Sequence, residues 1–198
     1  YPFQTTQYIE DALSTDAASS IFGLIVEGTA ALNIDGSWIG SLEAFEGGNG
    51  YWLLALEEFS FTFNGSEESL SRIATQPALR NVPDRFSFIQ STNQAFYFVE
   101  SATIKNEILE EDDIIIAYNN NVVVGARYWN GEYTDIPAIG FDEHIVNEGY
   151  CKTGDQIRFK VWDSSENEIV DMVADGEILW ENLQLSVVNL TELLPEQF

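Results

Sequence analysis

The stretch IIIAYNNNVVVGARYW, residues 114–129, decides the fold of this chain. Its two apolar runs, residues 114–117 and 122–124, are rich in the β-branched side chains that suit a strand. Between them lie Asn119, Asn120 and Asn121, and asparagine tolerates the positive φ of a tight hairpin loop. We therefore expect two antiparallel strands joined by a turn at the asparagines.

Further short strands surround this hairpin. Alternating or β-branched segments predict them at residues 86–90, 95–100, 114–118, 122–129, 156–163, 168–173 and 183–188. The polar run DSSEN at residues 163–167 predicts a second hairpin loop. No strand-helix-strand alternation appears, which argues against a parallel nucleotide-binding sheet. Residues 85–190 are thus predicted to form an antiparallel β-sandwich, Ig-like or jelly-roll-like.

The first third of the chain predicts a smaller α+β module over residues 1–64. Residues 8–25 carry the helical pattern, in which Ser14 or Asp16 supplies a cap. Turns follow at residues 34–38 and at GGNG, residues 47–50. Phenylalanines at positions 59, 61 and 63 alternate with polar residues, as in a half-buried strand. Residues 65–84 are rich in Ser, Glu and Pro and predict a linker or long loop. The predicted class is therefore mainly β.

Charge is the outlying property of the composition. Eight Lys and Arg stand against 33 Asp and Glu, a net charge of -25. Such a surface repels nucleic acid and anionic membranes, and we interpret it first as adaptation to a saline environment and second as cation binding. The longest apolar runs are far shorter than the ~20 residues of a membrane span, so no membrane insertion is expected.

Catalytic signatures are scarce, and we predict no enzyme. The chain has one histidine, His144, and one cysteine, Cys151. Neither stands in the sequence context of a known triad, and Cys151 is expected to be packed as a small apolar side chain. A glycosidase needs a pair of carboxylates, but among 33 acids a pair is always found. A hydrolase with an unrecognised acidic site is the remaining enzymatic alternative.

Candidate binding residues lie in two loops. Trp129 and Tyr133 flank the Asn130-Gly131 turn, close to Asp135, and predict a glycan or other ligand site at a sandwich edge. Asp163 and Glu166 are candidate calcium ligands, although no loop matches the EF-hand pattern and the favoured alternative is a solvated acidic loop. No other cofactor is expected. Core packing is the alternative for Trp129, and the other tryptophans, among them Trp38 and Trp52, are expected to fill cores.

Three sequence regions carry a resemblance to a known class of proteins. The first is GSWIGSL with GYW, at residues 36–42 and 50–52. The second runs from STNQAFYF at residues 91–98 to FKVWD at residues 159–163, with VGA at 124–126, IPAIG at 136–140 and GY at 149–150 between them. The third is LPEQF at residues 194–198. Together they resemble the modules of secreted multidomain cargo of the bacterial type IX secretion system, just before its C-terminal sorting domain.

This resemblance implies export across the outer membrane and a place outside the cell or on its surface. It makes residues 191–198 a lead-out to a removed or absent sorting domain, and it implies no reaction. Tyr1-Pro2-Phe3 is interpreted as the remainder of a processed strand, which would leave a sheet edge open for pairing. We therefore expect an extracellular structural or adhesive protein, such as a filament or sheath subunit that self-associates by strand-edge pairing or binds cell-surface partners. The alternative is a carbohydrate- or ligand-binding accessory module of a larger secreted enzyme.

Overall fold

The computed structural model describes residues 1–65 and 74–194. Strands make up 44% of it and helices 7%, which confirms the predicted mainly β class. The chain divides into two units, Tyr1–Leu79 (unit 1) and Arg80–Phe198 (unit 2). The boundary falls inside the expected linker.

Unit 1 combines two short helices with a small antiparallel sheet. The helices are α1 (Ile9–Ala12) and α2 (Thr15–Ser20), and the strands are β1 (Gln7–Tyr8), β2 (Ile21–Val26), β3 (Thr29–Ile34), β4 (Ser37–Ile39), β5 (Ala44–Phe45) and β6 (Trp52–Ala55). Four strands form a sheet in the order β4-β3-β2-β6, and β1 pairs with β5. Within the described ranges, no helix has the length and apolar character needed to cross a membrane.

The helix predicted over residues 8–25 is split in two and ends early. Ser14 caps α2 as expected, because its side-chain oxygen accepts a hydrogen bond from the amide of Ala17 at 3.2 Å. Ile21 already belongs to β2, where it pairs with Ala55 of β6. Pairing of β2 with β3 on one side and β6 on the other overrides the local helical spacing.

The alternating phenylalanines pack as expected but form no strand. Residues 57–65 are neither helix nor strand. Phe59, Phe61 and Phe63 all contact the core of unit 1, and successive ring centroids lie 5.4 Å and 5.0 Å apart. The alternation predicted the shared apolar face, whereas membership of a sheet depends on a partner strand that local sequence does not specify.

The first residues are not the strand that was expected. Residues 1–6 form no strand, and the ring of Tyr1 stacks on Phe45 with a centroid distance of 5.3 Å. The ammonium group of Tyr1 donates a hydrogen bond to the carbonyl oxygen of Asn49 at 2.8 Å. This segment therefore joins unit 1 through aromatic packing.

Unit 2 is built around one curled sheet of eight strands. They are β7 (Gln94–Ile104), β8 (Glu107–Ile108), β9 (Ile114–Asn119), β10 (Val122–Tyr128), β11 (Thr134–Ile139), β12 (Ile157–Asp163), β13 (Glu168–Ala174) and β14 (Leu185–Glu192). Both predicted hairpins are present. Asn119 pairs with Val122 and Asn120 has a φ of 53°, while Asp163 pairs with Glu168.

The strand order is β10-β9-β12-β13-β14-β7-β11, with β8 paired to β7. All of these pairs are antiparallel except β7 with β14, which is parallel and departs from the predicted antiparallel arrangement. A parallel pair needs a long crossover, and nearly all of unit 2 lies between these two strands. The interior is filled by apolar side chains such as Tyr97, Ile115 and Val161.

The two ends of this strand order, β10 and β11, come into contact. The approach depends on Gly125, because a Cβ there would collide with the carbonyl oxygen of Pro137. Pro137 also explains why β11 escaped prediction. A proline without an amide hydrogen is tolerated in a strand that ends the hydrogen-bonded order.

A second layer covers the outer face of β9, β10 and β12. The strand predicted at residues 86–90 is absent, and a 3-10 helix (Asp84–Phe86) followed by irregular chain takes its place. Phe86 is buried against Ile114 and Ile116. This extra layer makes unit 2 sandwich-like.

The expected linker and lead-out are partly described. In unit 1, Gln76 accepts hydrogen bonds from the amides of Glu43 and Ala44 at 3.0 Å and 3.1 Å. In unit 2, Arg80 forms an ion pair with Asp112 at 2.9 Å. Residues 66–73 of the linker and 195–198 of the lead-out lie outside the described residues.

Candidate functional site: a groove in unit 1

The ligand residues predicted at the Asn130-Gly131 turn do not form a joint exposed surface. Trp129 lies in the core of unit 2 and is 4% exposed, so its indole is unavailable to a ligand. Asp135 is buried and forms an ion pair with Arg127, at 3.6 Å between Oδ2 and Nη2. Every residue of β11 is buried, so neither face of this strand presents a side chain to solvent.

Tyr133 is the one member of that set with a partly exposed side chain. Its hydroxyl donates a hydrogen bond to Glu100 Oε1 at 2.8 Å, and this bond is the main reason why the pKa of Tyr133 is raised. The backbone of Tyr133 has a φ of 62°. The phenol is therefore held along the surface by a neighbouring carboxylate.

The candidate calcium residues Asp163 and Glu166 lie in the β12–β13 loop. Asp163 Oδ1 accepts hydrogen bonds from the Ser165 amide, the Ser165 hydroxyl and the Glu166 amide, at 3.0, 2.8 and 3.0 Å. Burial raises the pKa of Asp163, but these bonds and the charge of Lys105 outweigh burial and lower it. Among residues 1–65 and 74–194, no three His, Cys, Asp or Glu side chains are grouped to hold a metal ion. Calcium binding by this loop stays a prediction.

The histidine and the cysteine occupy different environments. The side chain of His144 is 83% exposed and lies 3.8 Å from Glu143. Cys151 is buried in the core of unit 2, as predicted, and its desolvation, with the charge of Asp155, raises the pKa of the thiol to about 12. A thiolate nucleophile is therefore strongly disfavoured at neutral pH.

A groove in unit 1 offers the room that these residues lack. Its volume is about 1090 Å³. It is lined by Tyr8, Ile9, Glu10, Leu13, Thr15, Ala18, Ser19, Ile21, Phe22, Asn33, Asp35, Gly36, Ser37, Trp38, Gly40, Leu42, Glu43 and Leu56. The site thus brings together both helices, the β3–β4 hairpin and the chain that follows β4.

Asn33 fixes the hairpin wall of the groove. Its side-chain nitrogen donates hydrogen bonds to the carbonyl oxygens of Ala18, at 2.8 Å, and Ile21, at 3.2 Å. Its side-chain oxygen accepts one from the amide of Gly36 at 2.9 Å. Gly36 and Asp35 have φ values of 89° and 51°, as the tight turn between β3 and β4 requires. One side chain therefore joins the turn to α2 and β2, and it places Trp38 on the wall.

The lining has an apolar floor and a polar, acidic rim. The floor includes the buried side chains of Ile9, Leu13, Ile21 and Leu42. Tyr8, Phe22 and Trp38 are half-buried aromatic side chains that line the groove as well.

Three carboxylates, of Glu10, Asp35 and Glu43, line the groove, and no Lys, Arg or His does. An aromatic face can stack on an apolar ligand surface, while amide and carboxylate oxygens accept hydrogen bonds from hydroxyl groups. The groove is therefore suited to a ligand with both apolar faces and hydroxyl groups.

The sequence interpretation assigned Trp38 to a core, and this half-buried side chain does pack against the core of unit 1, but the interpretation missed the groove that Trp38 also lines. A usable signal was present, because Trp38 follows the Asp35-Gly36 turn in a very short strand. A large aromatic side chain in that position has few neighbours of its own sheet to cover it.

Comparison with known proteins finds no family model, no curated protein and no solved structure that matches this chain.

Proposed function

We propose that this chain is an extracellular adhesive protein that binds a neutral polysaccharide in the groove of unit 1 and catalyses no reaction. The observation that carries the proposal is the groove itself. It combines a volume of about 1090 Å³ with three half-buried aromatic side chains, Tyr8, Phe22 and Trp38. Its volume slightly exceeds the roughly 300–1,000 Å³ found for small-molecule sites, which gives room for several sugar rings.

The lining matches the two faces of a sugar. The apolar face of a pyranose ring stacks on an aromatic side chain, and Trp38 supplies the largest such surface in the groove. The hydroxyl groups need acceptors, which the carboxylates of Glu10, Asp35 and Glu43 supply. This set of groups favours a sugar over a purely apolar ligand, which would leave the polar rim desolvated.

Charge supports a neutral sugar. Three carboxylates and no basic side chain line the groove, and the chain has a net charge of -25. A uronate or sulfate group would meet like charge there. Uncharged glucans, mannans and xylans carry no such penalty.

The location outside the cell has separate support. An acidic surface keeps a protein soluble where high salt screens its self-repulsion. The resemblance of three sequence regions to type IX secretion cargo implies export. Binding rather than turnover is favoured by the buried Cys151 thiol and the exposed His144 imidazole, which serve no common site.

Substitution of Trp38 tests the proposal. Electrophoresis of the whole chain through gels containing laminarin, xylan, mannan or hydroxyethylcellulose measures binding as retardation. We expect at least one polymer to retard the native chain, and Trp38→Ala to weaken that binding by about tenfold or more, which is about 1.4 kcal/mol. The matched control is Trp52→Ala, since Trp52 is also half-buried in unit 1 but does not line the groove.

Two results would count against this function. The proposal fails if none of the four polymers retards the native chain. It also fails if Trp38→Ala and Trp52→Ala lose binding equally, because the groove would then have no special role. New reducing ends after incubation of the protein with a bound polymer would replace binding by hydrolysis.

A further inference from the structure

The few basic residues of this acidic chain are concentrated on one outer face of unit 2. Four of the eight Lys and Arg lie there. Arg158 and Lys160 belong to β12 and face outward, and Arg80 and Arg85 belong to the segment that crosses the outer side of β9, β10 and β12. We name this surface the basic strip. A concentration of scarce charges on one face is the electrostatic pattern of an interaction surface.

The alternation of side chains along β12 places part of the strip on the outer face of the sheet. Its inward residues are buried and its outward residues are Arg158, Lys160 and Trp162. On the neighbouring β9, Tyr118 is the partner of Arg158, and Ile116 is the partner of Lys160. The half-buried Tyr118 therefore adds an aromatic side chain to the strip, whereas Ile116 is buried beneath the covering segment.

The covering segment adds two more cations. The guanidinium of Arg80 lies 3.7 Å from the ring centroid of Tyr128, and that of Arg85 lies 3.9 Å from the ring centroid of Trp162. The ammonium of Lys160 lies 5.7 Å from the ring centroid of Tyr118. Stacking holds these cations in place, so less side-chain entropy is lost when a partner binds.

The four cations differ in how far they are neutralised. Arg80 pairs with Asp112 at 2.9 Å and Lys160 with Asp171 at 2.7 Å. Arg85 and Arg158 are exposed, and neither forms an ion pair with any residue that the structure describes. The strip thus presents two available guanidinium groups rather than a continuous positive track.

We propose that the basic strip docks onto the acidic surface of a second copy of this chain. Every copy carries 33 carboxylate side chains, and most of those in the described part of the chain are exposed, so a complementary surface is always present. A guanidinium group pairs with a carboxylate, often through two parallel hydrogen bonds, so the two exposed guanidinium groups suit the carboxylates of an acidic protein surface. The inference stands apart from the groove, since the strip itself consists of residues of unit 2 alone.

The contact joins different surfaces on the two copies. A heterologous contact of this kind leaves one strip and one acidic surface open, so it continues into a chain of subunits unless the geometry closes a ring. Long-range repulsion between two copies of charge -25 opposes association at low salt. Because 1 M salt shortens the Debye length to about 3 Å, salt removes that repulsion more completely than it weakens pairs in contact.

Sedimentation velocity of the whole chain, from 0.05 to 1 M NaCl and over a range of protein concentrations, tests this contact. We expect the average mass to rise with both variables. Arg158→Glu and the double variant Arg85→Glu with Arg158→Glu should weaken association by about tenfold or more. Lys152→Glu makes the same charge change on an exposed residue that belongs neither to β9, β10 or β12 nor to the covering segment, and it should leave association as it is.

Substitution of Arg158 is less disruptive to the fold than substitution of Arg85, because Arg158 stacks on no ring in the described structure. Unchanged circular dichroism verifies that the Arg158→Glu variant is folded. A native chain that stays monomeric in all conditions overturns the proposal, as does an equal effect of Arg158→Glu and Lys152→Glu. Loss of association in the β4 edge variant Ile39→Pro, with no effect of Arg158→Glu, would assign assembly to strand-edge pairing instead. Binding of a sulfated polysaccharide to the strip without self-association would also refute it.

Discussion

Arg127 and Asp135 form a buried ion pair that joins the two ends of the curled sheet in unit 2. The distance from Nη2 to Oδ2 is 3.6 Å, and the two side chains are 10% and 2% exposed. Arg127 belongs to β10 and Asp135 to β11, which lie at opposite ends of the hydrogen-bonded strand order. The closure of the sheet thus depends on side chains as well as on the close approach at Gly125.

Removal of one member of this pair should destabilise unit 2 strongly. Arg127→Met leaves the Asp135 carboxylate buried beside an apolar side chain, and we expect a loss of about 3–5 kcal/mol. Hydrogen exchange of the β10 and β11 amides in the native chain measures the effect locally. The double variant Arg127→Met with Asp135→Val removes both charges and should recover most of the loss. A single variant as stable as the native chain would show that the pair contributes nothing to closure.

Asp163 should make the stability of unit 2 depend on pH. Its pKa in the folded chain is lowered, so it contributes stability above the unfolded pKa of about 3.9, and this contribution disappears as the pH falls through the folded pKa. Asp163→Asn keeps an acceptor oxygen but no charge. We expect the variant to be less stable than the native chain at pH 7 and the difference to shrink below about pH 4.

Urea unfolding at pH 7 and pH 3 measures this difference in stability. Hydrogen exchange of the β12 and β13 amides in the folded chain measures it locally. The control is Glu148→Gln, which removes one exposed charge from unit 2. A difference between native chain and Asp163→Asn that is the same at both pH values contradicts the assignment.

Local chemistry predicted much of the sheet in unit 2 because hairpins are encoded within a few residues. Asn120, between β9 and β10, adopts the positive φ that the turn needs. Asn167 does the same in the loop between β12 and β13. Where the pairing strands are remote in sequence, the local patterns did not predict the secondary structure. Ile21 continues a helical spacing but lies in β2, and Pro137 argues against a strand although β11 ends the sheet order and tolerates it.

The groove could not be predicted because its walls are distant in sequence. Tyr8, Trp38 and Leu56 meet in unit 1 only after the sheet and helices have formed. A tryptophan has the same local pattern whether it faces a core or a groove, and its environment is a tertiary property. Trp129 shows the converse, because it sits beside a turn as a binding residue would, yet it packs in the core of unit 2, as its core alternative expected.

The thiol of Cys151 should be unreactive in the folded chain. Its pKa is raised to about 12 and it is buried, so both the thiolate fraction and access are small. We expect 5,5′-dithiobis(2-nitrobenzoic acid) at pH 8 to label the native protein slowly and the guanidinium-unfolded protein at once. Free glutathione provides the reference rate. Native labelling as fast as that of glutathione would place the thiol at the surface.

The acidic rim of the groove should discriminate between polysaccharides of one backbone and different charge, a prediction that rests on the proposed function. In a bound glucan or mannan, whose hexose units carry a primary hydroxyl group, oxidation of that group to a carboxylate leaves the stacking faces in place but introduces charge. Glu10, Asp35 and Glu43 then repel the ligand, and we expect weaker binding.

The repulsion should be largest at about 0.01 M salt, where the Debye length is roughly 30 Å, and small at 1 M. Asp35→Asn combined with Glu43→Gln should narrow the gap between the neutral and the oxidised polymer, whereas exposed Glu57→Gln outside the groove should not. Gel retardation at both salt concentrations measures this. Equal binding of the two polymers by the native chain at low salt would mean that the carboxylates of the rim lie too far from the ligand to select it.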